Sequence, residues 1–270
     1  MELDHCGASA YHLQVLEGFN FLSVKNAIKK VILFVLSLLL LSACGRPLAP
    51  NRPDPAKMDV ATTEAQATFQ LATSTGRIKI KAEVWTDNWF AFYLGETLIK
   101  EDSVSITTER SFNKEVFTFE ASYPLQLNFI VKDYMKNDTG LEYIGTHRQQ
   151  MGDGGFIAQF TNAETGELIA VTDANWAGLV IHTAPLDESC AEQANPVAGA
   201  APCVFSKLEE PAGWMLPGFD DLAWAKATIY SEQQIRPKQG FEEISWNPAA
   251  KLIWGPDLKK DNIIIFRSLR

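Results

Sequence analysis

Enzymatic chemistry needs particular side chains at workable spacing, and this 270-residue chain offers few of them. Of its four histidines only His147 and His182 lie beyond the N-terminal leader described below, and there is no H-E-x-x-H, G-x-S-x-G or phosphate-loop pattern. Paired carboxylates can cleave a glycosidic bond, and Asp220/Asp221 and Glu242/Glu243 are available pairs. Neighbours on a strand point to opposite faces, however, so an adjacent pair does not easily flank one bond. The expectation is a protein that is not an enzyme. Binding chemistry is better supplied. Seven tryptophans, Trp89 and Trp214 among them, offer faces that stack on sugar rings, although most should sit in the core. Trp214 lies in Pro211-Ala212-Gly213-Trp214-Met215-Leu216-Pro217-Gly218, and a loop of that composition has little core to offer, so this ring is expected to be exposed. The polar segment from Met135 to Gly155 is the second candidate. There His147 and Arg148 could hydrogen-bond hydroxyls or a carboxylate.

Short strands must position these groups. From Gly76 onward, runs rich in Val, Ile, Phe and Tyr alternate with Asn, Asp and Gly, which predicts strands at 77–85, 89–94, 115–120, 125–132, 155–160, 167–172, 178–183 and 261–267. Brief helical turns are expected only at Ala223–Ala227 and Pro248–Ile253. Many short strands without long amphipathic helices predict an all-β sandwich or jelly roll. The run Ile263-Ile264-Ile265-Phe266 is apolar on both faces and therefore reads as an inner strand, since it would be an aggregation hazard at an edge. A net charge of −9 argues against nucleic acid as a partner, because phosphate-backbone binding needs a positive patch.

The N-terminal segment carries an address. Lys25, Lys29 and Lys30 precede the apolar run Val31–Leu41, the layout of a secretory signal. As a helix that run would rise about 16 Å, too short for a hydrocarbon core of roughly 30 Å. Residues 1–23 do not resemble such a signal, so translation is expected to begin at Val24. Leu41-Ser42-Ala43-Cys44 then resembles the lipobox of bacterial lipoproteins. The resemblance implies a signal peptide over 1–43, acylation of Cys44 and membrane lipid as the partner of that residue. Gly45, where an Asp would favour inner-membrane retention, implies the outer membrane. Residues 44–74 hold Pro47, Pro50, Pro53 and Pro55 and read as a tether, leaving 75–270 as the β domain. In an exported chain, Cys190 and Cys203 are expected to form a disulfide.

Three stretches extend the resemblance. Asp87-Asn88-Trp89-Phe90-Ala91-Phe92-Tyr93-Leu94-Gly95 is the first, Gly154-Gly155-Phe156-Ile157-Ala158 with Thr172-Asp173-Ala174-Asn175-Trp176 the second, and Gly218-Phe219-Asp220-Asp221-Leu222-Ala223-Trp224 the third. In this order they resemble the galactose-binding-like jelly rolls found as accessory domains in β-galactosidase-type glycosidases and α-L-rhamnosidases, with Leu94 and Leu222 standing where those domains carry Asn and Ser. The likeness implies structural roles for Asp173, Trp176, Asp220 and Asp221, with Trp224 packed inward. Related sandwiches often hold a structural ion, so calcium is an accessory expectation with Asp138, Asp153 and Asp173 as oxygen ligands; no other cofactor is expected. The resulting expectation is a membrane-anchored, non-catalytic glycan-binding or adhesion module. An envelope scaffold that binds protein is the alternative, and an accessory protein of glycosidases a third.

Overall fold

The computed structural model describes residues 76–270; the expected signal peptide, Cys44 and the expected tether fall outside the described residues. Fifteen strands follow in order: β1 (Ile78–Asp87), β2 (Trp89–Leu94), β3 (Thr97–Glu101), β4 (Asn113–Ala121), β5 (Gln126–Lys132), β6 (Leu141–Glu142), β7 (Gln150–Met151), β8 (Gly155–Asn162), β9 (Leu168–Val171), β10 (Ala177–Thr183), β11 (Ser206–Lys207), β12 (Ala225–Lys226), β13 (Thr228–Tyr230), β14 (Leu252–Trp254) and β15 (Asp261–Leu269). They build an all-β sandwich. One sheet runs β13-β14-β8-β1-β4 with β9 on β8, the other β11-β10-β15-β5-β2-β3 with β12 on β10, and the strands in both pair antiparallel.

The period-2 alternation of β1 shows how the sequence sets this up. Ile80, Ala82 and Val84 enter the core while Lys81 and Glu83 face out and pair with each other at 2.7 Å. Between the sheets the core is strongly aromatic. Phe92, Phe129, Phe156, Phe160, Trp176 and Phe266 are fully buried in one cluster, and Phe129 stacks on Phe92 with ring centroids 4.7 Å apart.

Both sheets are covered on their outer faces as well. Trp85, Ile157 and Leu252 are capped by Ile235 and Phe241, whereas Ile130, Ile181 and Ile265 are capped by Trp214 with Phe219 and Trp224 beside it. This double burial explains why β15 is apolar on both faces. It lies between β10 and β5, paired along its length with the latter, and Ile264, Ile265 and Phe266 are fully buried.

Two assignments made from the sequence change. Leu252 and Ile253, the end of the helical turn expected at Pro248–Ile253, lie instead in strand β14, because Ile253 pairs with both Phe156 and Ile229 and the apolar triplet Leu252–Trp254 fills the sheet. Ala223–Ala227 contains a turn and β12 rather than helix, and the helical turn falls instead at Glu232–Ile235, started by a capping box between Ser231 and Gln234. Tertiary pairing outweighed local propensity in both places.

Cys190 and Cys203 are bonded, with Cα atoms 4.8 Å apart, the pairing expected from the sequence. The bridge is buried beside Leu141 and Met151, and Gln149 Nε2 donates to the carbonyls of Ala191 and Gln193, both at 2.8 Å. The disulfide loop thus buttresses the segment that connects β5 to β8. Replacing Cys190 and Cys203 together by Ser is expected to lower stability by about 3 kcal/mol, the chain-entropy value for a loop of this size. Urea unfolding with tryptophan fluorescence checks it, and an unchanged midpoint would count against a stabilising bridge.

Candidate functional site

The C-terminal ends of β1 and β5 and the start of β8 meet at one end of the sandwich. Asp87 closes β1, Asp133 follows β5, and Asp153 lies two residues before β8, whose Gly155 pairs with Asp87. The segment 133–154, the 102–112 connection and the loop 236–243 converge there. Asn88 ties two of them together, accepting from the Tyr134 N–H at 2.5 Å through Oδ1 and donating from Nδ2 to the Glu109 carbonyl at 3.2 Å. The third loop approaches β4 so closely that a Cβ on Gly240, which has φ +91°, would lie 2.5 Å from the Lys114 nitrogen. Only glycine fits.

These loops enclose an open cleft of about 530 Å³ whose lining includes Phe112, Glu142, Tyr143, Arg148, Asp153 and Lys238. The Arg148 guanidinium lies 3.9 Å from the centroid of the Tyr143 ring. A second cleft of about 820 Å³ shares Gln150 and Asp153 with the first and continues toward Tyr230, Arg236 and Lys259. The two clefts meet at Gln150 and Asp153, beside β7.

Beneath the cleft, Lys238 Nζ bonds Asp87 Oδ2 at 2.5 Å and both oxygens of Asp153 at 3.0 Å. Burial pushes the Asp87 carboxyl up to about 7 despite that ammonium, and burial with the neighbouring acids holds Asp133 well above the carboxylate range. Glu142 is also raised to about 7 by burial, with a bond from Gln150 Nε2 at 2.7 Å opposing the shift. Burial disfavours the charge on Lys238, yet Asp87 and Asp153 overcome this and hold its pKa above the lysine range. The arrangement can therefore offer hydrogen-bond donors, acceptors and an aromatic face to a polyhydroxylated ligand, and oxygen ligands to a cation.

Of the residues singled out in the sequence, Arg148 lines the cleft; His147 is exposed on the same turn but does not line it. Trp214 is a correction. It is 3% exposed, because the 211–218 loop folds back over the outer face of the second sheet, where Ile130, Ile181 and Ile265 need cover. Its indole N–H donates to Glu210 at 3.2 Å. Trp89 is half-buried on that same face with the Lys132 ammonium 4.5 Å from its ring centroid, away from the cleft lining.

The motif residues take structural positions. Trp176 is fully buried and donates to the Val171 carbonyl at 2.8 Å. Asp173 accepts from the Asn175 N–H and Asp220 from the Leu222 N–H. Asp221 pairs with Arg267. Trp224 departs from the inward packing expected of it: it is half-buried against Phe219, on the outside of the sheet.

The acids expected to share a cation are held apart by different partners. Asp138 lies 3.4 Å from the buried His182, Asp153 is bound to Lys238, and Asp173 pairs with Arg270. Asp153 groups with Asp87 and Asp133 instead. Asp133 and Lys238 were not distinguished in the sequence. Their only signal was an acid immediately after an apolar strand and a lysine in a Pro/Gly-flanked loop, patterns that surface residues share. Among the described residues no helix is long and apolar enough to cross a membrane.

No model of a protein family matches this chain, and neither a curated protein nor a solved structure matches it.

Proposed function

We propose that this chain is a bacterial lipoprotein, held at the outer membrane through acylated Cys44, and that its sandwich is a galactose-binding-like domain that binds glycan in the cleft without cleaving it. The observation that carries this reading is the convergence on one cleft of the Arg148–Tyr143 stack, the Lys238 ammonium and the carboxylates of Glu142 and Asp153. Sugar sites combine an aromatic face with a few fixed polar groups in this way. The second cleft, continuous through Gln150 and Asp153, favours an extended oligosaccharide over a single terminal sugar. The lipobox resemblance supports the anchor, and the three galactose-binding-like stretches support the family.

The test is a glycan array probed with a fragment starting near residue 70, followed by calorimetry of the best ligand. Arg148→Ala is expected to weaken binding at least about tenfold, or ~1.4 kcal/mol, without moving the melting temperature, because Arg148 is exposed. An array without ligands, or an Arg148→Ala variant that binds as the parent does, would sink the reading. Release of reducing ends would replace binding by hydrolysis. For the anchor, Cys44→Ala is the control: it should move the protein from the detergent phase to the aqueous phase.

A further inference from the structure

Beneath the cleft, Asp87, Asp133 and Asp153 each place a carboxylate oxygen within 4.8 Å of the others. Lys238 satisfies Asp87 Oδ2 and both oxygens of Asp153. Three oxygens are left over: Asp87 Oδ1 and both oxygens of Asp133 are buried without any hydrogen-bond donor. Asp133 is 2% exposed and Asp87 1% exposed, so solvent does not supply what the protein withholds. The backbone is drawn tightly round this carboxyl, since a Cβ on Gly152 would lie 1.8 Å from Asp133 Oδ2.

A buried carboxyl keeps its place when it is paired, hydrogen-bonded, bound to a metal or protonated, and a metal is the choice that uses every bare oxygen as it stands. Here three acids, with Glu142 nearby, face one ammonium. The unpartnered oxygens are of one kind, hard and anionic, and an ion with bonds of about 2.3 to 2.6 Å can bridge oxygens up to roughly 5 Å apart. Calcium accepts such a cage of protein carboxylates, whereas magnesium prefers to retain most of its water.

We propose that Asp87, Asp133 and Asp153 bind a calcium-type divalent cation beneath the cleft, and that the ion competes with the Lys238 ammonium for Asp87 and Asp153. Lys238, which also lines the cleft, then holds the cluster together without the ion and gives up its bonds to Asp87 and Asp153 when the ion enters. This site is independent of whether the ligand above it is a glycan, and it differs from the Asp138–Asp153–Asp173 set expected from the sequence.

The experiment is calcium titration of the purified full-length chain after EDTA treatment, by calorimetry and by thermal melting. Calcium is expected to bind with a stoichiometry near one and to raise the melting temperature by several degrees. Asp133→Asn should abolish both effects. Should that variant fail to fold, Lys238→Gln decides, because it keeps all three carboxylates: it should bind calcium at least fivefold more tightly than the parent. Absence of binding heat together with identical melting in calcium and EDTA would overturn the proposal and leave the acids sharing protons instead. So would a Lys238→Gln variant that binds calcium no more tightly than the parent.

Discussion

A chain ended at Lys260 is expected not to fold. The deletion removes β15, which lies between β10 and β5 and carries Ile264, Ile265 and Phe266, all fully buried. Each such side chain contributes about 1.5 to 3 kcal/mol through burial alone, and Phe266 also stacks with Phe156 across the core at 5.8 Å. The loss extends beyond side chains. Both neighbouring strands would present unpaired backbone groups, and Asn262, whose amide bonds the carbonyls of Ala184 and Lys260, would go with them. Against an ordinary stability margin of about 5 to 15 kcal/mol, these losses leave no cooperative fold. Circular dichroism melting of a 45–260 fragment checks this. A soluble fragment with a sharp transition would make the strand peripheral and move the domain boundary.

Replacing Arg267 by Ala is expected to cost about 3 kcal/mol, the low end for removing one partner of a buried pair, since Asp221 retains some solvent contact. Arg267 is 3% exposed near the C-terminal end of β15. Its guanidinium reaches outward to Asp221, donates to the Leu216 carbonyl at 2.7 Å, and lies 5.1 and 5.9 Å from the ring centroids of Phe219 and Trp224. One side chain therefore pins the 214–224 loop over the second sheet. Without it the loop loses its ion pair and its stacking partner together, and Trp214 should become accessible to quenchers. Arg267→Lys should recover little, because an ammonium cannot reproduce the planar fork. Urea unfolding and acrylamide quenching of tryptophan fluorescence read out the two effects. A stable Arg267→Ala variant with a protected Trp214 would show that apolar packing alone holds the loop.

The strand content was legible because the signal is local. Alternation in Ile80-Lys81-Ala82-Glu83-Val84 tells which face is buried, and the two-sided apolar run of β15 tells that both faces are. The short strands were harder. The Leu252–Trp254 triplet resembles helix and strand equally by its own pattern, and only the partners Phe156 and Ile229 decide it. Trp214 shows the same limit at the level of one side chain. A Pro/Gly-rich loop predicts exposure, yet the outer face of the second sheet happened to need an aromatic cover.

By itself the sequence determined the all-β class, the inner position of the last strand and the pairing of Cys190 with Cys203, because periodicity, apolar runs and cysteine spacing are properties of a few consecutive residues. The tertiary structure alone decided the site. Asp87, Asp133, Asp153 and Lys238 span more than half of the described chain and come together only because β1, β5 and β8 bring their ends to one rim of the sandwich. Nothing in the local surroundings of Asp133 and Lys238 distinguishes them from a solvated acid and a surface lysine, and Asp153, singled out as an oxygen ligand, lies with Asp87 and Asp133 rather than with Asp138 and Asp173. It is the desolvation imposed by the packed sheets that leaves the oxygens of Asp133 without a partner and gives the cluster its chemistry.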